Sequence, residues 1–124
     1  MIIPLTIRIM MLTFGNVSIV CESQNIQFPQ VVAAQSVIET GWYKCKSCSL
    51  DKNNIFGFYS DRYLEFDHWI ESVAYYKKWQ DKYMPDICNS DEYLIWLKEF
   101  GYFTDENYIK KVNDIKEYEE SLYN

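Results

Sequence analysis

The chain is short, acidic and rich in aromatic residues. Its 124 residues and 14.9 kDa suffice for one domain and are too few for two ordinary ones. With 48% hydrophobic and 24% charged residues the composition is globular and excludes a disordered chain, while a net charge of −6 disfavours binding to nucleic acid. Aromatic residues make up 18% of the chain, more than a core of this size can bury, so we expect an aromatic-lined groove.

The first eleven residues are apolar but lack the features of a membrane span. Pro4 and Arg8 interrupt the run, which is shorter than the ~20 apolar residues of a spanning helix. An export signal is disfavoured because no basic region precedes the run and Val20 stands directly before Cys21. We therefore expect synthesis in the cytoplasm without a convincing signal peptide, and no stable membrane anchor.

Two helices are predicted in the first third of the chain. Apolar residues between Thr13 and Gln24 recur on one face of a helix. Pro29 suits the first position of the next helix and Gly41 its C-terminal cap. Glu39 therefore falls in the last turn of a largely buried helix.

The middle of the chain predicts a loop followed by a short β-hairpin. Residues 43–53 are polar and irregular, which is typical of a loop. Two aromatic-rich runs, 54–59 and 62–66, flank a polar pair, and this pattern favours a hairpin.

The four cysteines predict free thiols rather than a metal site or a disulfide frame. Cys45 and Cys48 have the spacing of a zinc knuckle, but the chain has no second CxxC pair and its one histidine is His68. A domain of this size can bury a core without disulfides. We expect no metal and no cofactor, and thiols packed as small apolar residues.

Three further helices are predicted in the second half of the chain. Asp67 offers an N-cap for a helix over residues 68–83, which Pro85 ends. The second is predicted over 92–100, with Ser90 or Asp91 as its N-cap and Gly101 as its C-terminal stop. The third is predicted from 104 to about 117, with Thr104 as its N-cap.

These elements predict one mainly α domain over residues 1–124, a compact helical domain with one short β-hairpin flanking a cleft. The sequence shows no internal repeat, linker or low-complexity tract that would divide it. Residues 1–11 form an N-terminal segment without an assigned element, and the acidic residues 117–124 are expected to fray.

Glu39 is the candidate catalytic residue on physical grounds. It lies at the negative end of a helix dipole, which disfavours ionisation, and burial beside aromatic surface acts in the same direction. A carboxyl group with a raised pKa can act as a general acid near neutral pH. The alternative interpretation is that Glu39 pairs with Lys44 or Lys46 at the surface.

Four motifs occur in an order that resembles the bacterial glucosaminidase domain, over about residues 12–115. This peptidoglycan-cleaving group has a lysozyme-like fold and includes the flagellar peptidoglycan hydrolase and many autolysins and phage lysins. A stretch over 66–73 also resembles the pattern that follows the hairpin in that family. The four motifs are Phe28–Pro29 with Val32–Ser36, Glu39–Trp42, Asn53–Gly57, and Gly101–Asp105 with Tyr108.

The resemblance implies a lysozyme-like α+β fold with a cleft, and cleavage of the β-1,4 bond after N-acetylglucosamine. The catalytic acid of the family's E-S/T-G-W motif corresponds to Glu39. Asn54 and Tyr102 correspond to positions at the cleft, and Trp42 and Tyr59 are the further expected substrate contacts. For the asparagines of the NNxFG segment, hydrogen bonding to the local backbone is an equal alternative.

A second carboxylate is expected from the usual chemistry of glycoside hydrolysis. It lies about 5 Å from the acid when it is a nucleophile and about 6.5 to 9.5 Å away when it is a base. In the family the candidate lies in the β-lobe, which here offers Asp61, Glu65 and Asp67. Asp61 suits a turn and Asp67 a helix cap, which leaves Glu65. Assistance by the substrate's own acetamido group is the alternative.

The predicted function is that of an endo-β-N-acetylglucosaminidase acting on peptidoglycan glycan strands at the cell wall or periplasm, as a phage lysin or virion-associated hydrolase. A lytic transglycosylase or muramidase of the same fold is one alternative. A non-catalytic wall-binding or virion structural module is another.

Overall fold

The computed structural model describes residues 3–5 and 9–123. Between residues 9 and 123 the chain forms five α-helices and one 3₁₀ helix. Of the expected N-terminal segment 1–11, residues 1, 2 and 6–8 lie outside the described residues, and so does Asn124 at the end of the acidic tail. The elements are α1 (Phe14–Ser23), α2 (Pro29–Thr40), η1 (Ser49–Lys52), α3 (Trp69–Tyr83), α4 (Ser90–Phe100) and α5 (Tyr108–Ser121).

Helices α1 and α2 begin and end where the sequence predicts. The Thr13 side chain caps α1 by accepting a hydrogen bond from the backbone N–H of Asn16 at 3.1 Å. Pro29 occupies the first turn of α2, and Gly41 ends that helix in the left-handed conformation with φ +54°. The sharp stop at Gly41 leaves Glu39 one residue short of the end of α2.

The N-cap of α3 is His68, so the prediction of Asp67 is wrong by one residue. The His68 Nδ1 atom accepts from the backbone N–H of Ile70 at 3.2 Å, and the Glu71 carboxylate accepts from the backbone N–H of His68 at 3.1 Å. This reciprocal capping box satisfies two backbone donors at once. The neighbouring Asp67 side chain is exposed.

Helix α4 is capped one residue earlier than predicted. Asn89 accepts a hydrogen bond from the backbone N–H of Glu92 at 2.9 Å, which leaves Ser90 and Asp91 inside the first turn. An acid in a first turn interacts favourably with the helix dipole. Gly101 ends the helix with φ +95°, as expected.

Helix α5 begins later than predicted. Its first residue is Tyr108 rather than one next to Thr104. The Asp105 carboxylate accepts from the backbone N–H of Asn107 at 2.9 Å and pairs with the Lys111 ammonium at 2.7 Å. Because these bonds hold the segment before α5 in a turn, the helix starts only after it. The helix then continues into most of the acidic tail.

The predicted β-hairpin does not form as a pair of strands. The described residues contain no strand, and the polypeptide turns back with one isolated antiparallel bridge between Tyr59 and Tyr63. The Asn54 side chain donates to the backbone carbonyls of Phe58 and Leu64 at 2.8 and 3.0 Å. The Asn54 amide and two backbone hydrogen bonds, from Leu64 N–H to Phe58 at 3.1 Å and from Ser60 N–H to Arg62 at 3.0 Å, hold the two arms of the loop together. The lobe beside the helices is therefore an ordered loop.

The core forms around α2, which packs against both α1 and α5. Every residue of α2 from Val31 to Val37 is buried, including Gln35 and Ser36. Most buried polar side chains in proteins have hydrogen-bond partners, and here a network of tyrosines and glutamines supplies many of them. Its bonds run from Gln35 to Tyr76 (2.6 Å), Tyr76 to Tyr93 (2.6 Å), Gln80 to Tyr93 (3.1 Å) and Gln80 to the backbone of Gln27 (2.8 and 3.0 Å).

The prediction of four packed thiols is right for Cys21 only. Cys21 is buried in the core, where desolvation raises its pKa to about 12. Cys45 and Cys48 form a disulfide, and Cys88 is a free thiol at the surface. Ser47, one of the two residues between the bridged pair, has φ +59°, and the two Cα atoms lie 6.2 Å apart, within the range of a disulfide.

Candidate active site

Glu39 is held partly buried in the last turn of α2. Burial raises the pKa of its carboxyl group to about 7. Lys44 and Lys46, the surface partners that the sequence allowed, are exposed, and Glu39 forms no ion pair among the described residues. Near neutral pH the group is therefore divided between its protonated and ionised forms, the condition in which a carboxyl group serves best as a general acid.

A cavity of about 340 Å³ adjoins Glu39. Its volume is in the range of small-molecule sites, and six of its nine lining residues are aromatic. A larger cavity of about 380 Å³ lies between α1 and α5, but Glu39 does not line it. The cavity at Glu39 is therefore the candidate active site, and its other lining residues are Phe56, Gly57, Phe58, Tyr59, Trp79, Phe100, Gly101 and Tyr102.

The backbone of Gly57 lies directly against the Glu39 carboxyl group. Gly57 has φ +70°, a conformation that side chains disfavour. A Cβ atom at this position would lie 3.0 Å from Oε2 of Glu39. Only a residue without a side chain lets the loop approach the acid this closely, and that approach removes water from one side of the carboxyl group.

Tyr102 also lines the cavity and supports the loop that carries Gly57. Its hydroxyl donates a hydrogen bond to the backbone carbonyl of Phe56 at 3.1 Å, which ties the end of α4 to the loop that carries Gly57. Burial raises the pKa of Tyr102 well above its usual value, with further contributions from Tyr108 and Glu39. The phenol consequently stays neutral and keeps its proton as a hydrogen-bond donor.

Tyr108 places a second buried hydroxyl in the electrostatic neighbourhood of Glu39. The pKa of Tyr108 is raised mainly by burial and also by the charge of Glu39, while the Gln35 amide lowers it. The Tyr108 hydroxyl and Gln35 Nε2 are nevertheless both buried without a hydrogen-bond partner of ordinary geometry. Glu39 therefore has buried dipoles near it with unused hydrogen-bonding capacity.

Comparison with known proteins supplies the family. The model of the glucosaminidase family, described as mannosyl-glycoprotein endo-beta-N-acetylglucosaminidase, matches residues 18–120. The chain belongs to the glucosaminidase family. Searches of curated proteins and of solved structures find no match. Family membership makes this domain a glycosidase of the peptidoglycan-directed kind, and the matched residues include Glu39 and every residue that lines its cavity.

The glucosaminidase domain brings two of the four predicted substrate contacts to the cavity. Tyr102 and the exposed Tyr59 both line it. Asn54 is completely buried, and its amide also accepts from the backbone N–H of Phe58 at 3.0 Å, so that it organises the loop from within. Trp42 lies instead on a separate groove, where its ring meets Tyr118 edge-on with centroids 5.7 Å apart.

The candidate second carboxylates of the glucosaminidase domain lie outside the cavity wall. Asp61, Glu65 and Asp67 are all exposed, and Asp61 pairs with its neighbour Arg62 at 3.7 Å. None of the three is among the residues that line the cavity. Of the described lining residues, Glu39 alone is acidic.

The sequence reasoning missed three contributors to the cavity of the glucosaminidase domain. Trp79 lies within the helix predicted over residues 68–83, and Phe58 lies within the run 54–59 that predicted a strand, and neither pattern marks a cavity wall. Phe100 preceded the helix stop at Gly101 without any motif of its own. The signal that could have found them is the high aromatic content at the ends of these segments.

The site of the glucosaminidase domain is built without a cluster of metal ligands. Within the part of the chain that the structure describes, no group of three or more His, Cys, Asp or Glu side chains could hold a metal ion. No helix in the same part is long and apolar enough to cross a membrane.

Proposed function

We propose that this domain is an endo-β-N-acetylglucosaminidase that cleaves the β-1,4 bond after N-acetylglucosamine in peptidoglycan, with Glu39 as the general acid. The observation that carries the proposal is a carboxyl group with a pKa of about 7 on the wall of an aromatic cavity of about 340 Å³. A protonated carboxyl group can give its proton to the departing glycosidic oxygen while the sugar ring gains oxocarbenium character. The domain would act at the cell wall.

The cavity walls assist this step in two ways. Aromatic faces such as those of Phe58 and Trp79 give a sugar ring an apolar surface to stack on and exclude water from the acid. The hydrogen bond from Tyr102 to the Phe56 carbonyl ties the loop to the end of α4, and Gly57 in that loop lies against the Glu39 carboxyl group, which helps to keep that group in one position. A fixed acid beside the scissile oxygen lowers the barrier because less ordering remains for the transition state.

For the other half of the reaction, we favour assistance by the acetamido group of the substrate. The acetamido oxygen would form a bond to C1 as the C1–O4 bond breaks, and the proton of Glu39 would go to O4. Water would then attack C1, the bond between C1 and the acetamido oxygen would break, and the proton lost by the water would return to the Glu39 carboxylate. The support is that Glu39 is the acid on the described cavity wall, whereas Glu65 is exposed and outside it. Substrate-assisted exceptions to the two-carboxylate scheme are known among glycosidases.

The deciding experiment measures the cleavage of purified peptidoglycan by the unaltered protein and by Glu39→Gln. Removal of a general acid is expected to lower the rate about 10²- to 10⁴-fold. Glu99→Gln, an exposed acid on α4, is the matched control and should cleave at the rate of the unaltered protein. Equal rates for Glu39→Gln and the unaltered protein would remove Glu39 from the mechanism.

The products separate the proposal from its alternatives. Mass spectrometry of the digest should show reducing N-acetylglucosamine ends. Anhydromuramyl ends would identify a lytic transglycosylase, reducing muramyl ends a muramidase, and binding without cleavage a non-catalytic wall-binding module. Glu65→Gln should cleave within about threefold of the unaltered rate, whereas a loss of about 10²-fold or more would make Glu65 the second carboxylate.

A further inference from the structure

Four aromatic side chains form a connected cluster where α3 and α4 end. The Trp79 ring lies 5.5 Å from Trp96 and 5.4 Å from Phe100. Phe100 in turn lies 5.2 Å from Trp96 and 5.2 Å from Tyr83. Each ring therefore touches at least one other, and the cluster holds its members in place.

Two members of this cluster stay at the surface. Phe100 is 45% exposed and Tyr83 is 44% exposed, while Trp79 and Trp96 are half-buried behind them. We call the adjacent exposed pair, Tyr83 and Phe100, the outer platform. Neighbouring aromatic rings left in contact with water on a rigid support are characteristic of binding surfaces rather than of folding requirements.

The outer platform continues the wall of the Glu39 cavity. Phe100 and Trp79 line that cavity, and Phe100 also contacts Tyr83, which does not line it. A ligand that leaves the cavity past Phe100 would therefore meet Tyr83 next. A glycan strand is a polymer and must extend beyond a cavity of about 340 Å³.

We propose that Tyr83 and Phe100 form an outer sugar-binding site, which contacts a sugar ring of the glycan strand outside the cavity that holds the scissile bond. The inference rests on the function proposed above. The C–H faces of a pyranose ring match the apolar face of an aromatic ring, and the tyrosine hydroxyl offers a hydrogen bond. Occupancy of this site lets the domain bind long strands more tightly than short fragments.

We expect Tyr83 and Phe100 to contribute unequally to the affinity for the sugar. The Lys82 ammonium lies 5.1 Å from the centroid of the Tyr83 ring and covers part of it. No cation of the described part of the chain lies over the Phe100 ring, and Phe100 also lines the cavity. We therefore expect Phe100 to carry the larger share of the affinity, and Tyr83 to act on long ligands only.

The test measures binding by the Glu39→Gln protein, which holds its ligand without cleaving it. Dissociation constants for the chitin-type disaccharide and hexasaccharide are compared by isothermal titration calorimetry. Adding Phe100→Ala should weaken hexasaccharide binding about tenfold and Tyr83→Ala about threefold, so that the preference for the hexasaccharide shrinks in both. Phe100→Tyr keeps a ring and should restore the preference. Ile95→Ala, an exposed apolar change elsewhere on α4, should leave both constants unchanged.

The outcomes distinguish this inference from the proposed function. An unchanged preference for the hexasaccharide in both alanine variants would overturn the outer platform while leaving the cleavage proposal intact. If the parent protein binds neither sugar and the unaltered protein leaves peptidoglycan uncleaved, both proposals fail. Should Phe100→Ala not fold, Phe100→Leu keeps the apolar volume and should lose the preference in the same way.

Discussion

At the scale of the residue, Glu39 links catalysis to stability. Its carboxyl group has an ordinary pKa of 4.5 and a folded-state pKa of about 7, because burial penalises the charged form. Between these two pH values the folded chain holds a proton that the unfolded chain has released. The free energy of unfolding must therefore fall as the pH rises from about 4.5 to about 7, and stay lower above that range.

We expect this loss of stability to disappear in Glu39→Gln. The full effect is about 3 kcal/mol, reduced by the hydration of the partly exposed carboxyl group. Urea unfolding of both proteins at pH 5 and pH 8 measures the effect. The free energy of unfolding of the variant should rise relative to that of the unaltered protein between pH 5 and pH 8. Parallel pH profiles for the two proteins would contradict a raised pKa at Glu39.

Gly57→Ala should disturb the acid through contact, not only through backbone strain. The new Cβ would lie 3.0 Å from Glu39 Oε2, and it would push the carboxyl group toward water. We expect the pKa of Glu39, followed by ¹³C NMR, to fall toward 4.5 and the cleavage rate to drop about 10- to 100-fold.

Gly101→Ala is the matched control for Gly57→Ala. Gly101 also has a positive φ, of +95°, but a Cβ there meets nothing within 4 Å. Both variants should lose about 1 to 2 kcal/mol of stability from backbone strain. Only Gly57→Ala should shift the pKa of Glu39, and an equal shift in Gly101→Ala would show that strain rather than contact is responsible.

At the scale of the element, the disulfide stabilises the connection between α2 and η1. Cys48 is also the N-cap of η1, where its sulfur accepts from the backbone N–H of Leu50 at 3.4 Å. From η1 the chain runs directly into Asn54 and the loop at Glu39. The bridge Cys45–Cys48 therefore supports the loop side of the cavity at its start.

Reduction of this disulfide should lower the free energy of unfolding by about 2 kcal/mol, since a short closed loop removes little entropy from the unfolded chain. Urea unfolding with and without dithiothreitol measures the change. Cys21 and Cys88 are already free thiols, so the reductant has one target. The double variant Cys45→Ser/Cys48→Ser should unfold like the reduced protein and not respond to the reductant, and a reductant effect in that variant would refute this assignment.

At the scale of the whole molecule, the tyrosine and glutamine network joins the segment before α2 to three helices. Tyr76 is completely buried on α3, and its hydroxyl bonds to Gln35 on α2 and to Tyr93 on α4.

Tyr76→Phe leaves both partners with a missing hydrogen bond in the core. We expect a loss of about 1 to 3 kcal/mol, measured by urea unfolding. The neighbouring Tyr75, which is 39% exposed, provides the control, and Tyr75→Phe should cost less than about 0.5 kcal/mol. Equal losses would contradict the role of the network.

Local sterics explain which parts of the fold could be predicted from the sequence. Pro29, Gly41 and Gly101 mark helix ends by their own backbone preferences, and each of the three lies where it was expected. The caps His68 and Asn89 were missed because adjacent residues can all cap a helix. Which one does so depends on how the incoming chain approaches.

The order of residues along the chain was enough to predict the five helices and to place Glu39 in a motif at the end of a buried helix. Three features could be seen only in the folded chain: Trp79 and Phe100, rather than Trp42, line the cavity at Glu39, Asn54 is buried, and Cys45 is bonded to Cys48. The two kinds of feature differ in how far apart along the chain the interacting residues lie. Backbone preferences and periodicity act within a few residues, whereas the cavity joins α2, the loop at Gly57, α3 and the end of α4, which meet only when the core packs.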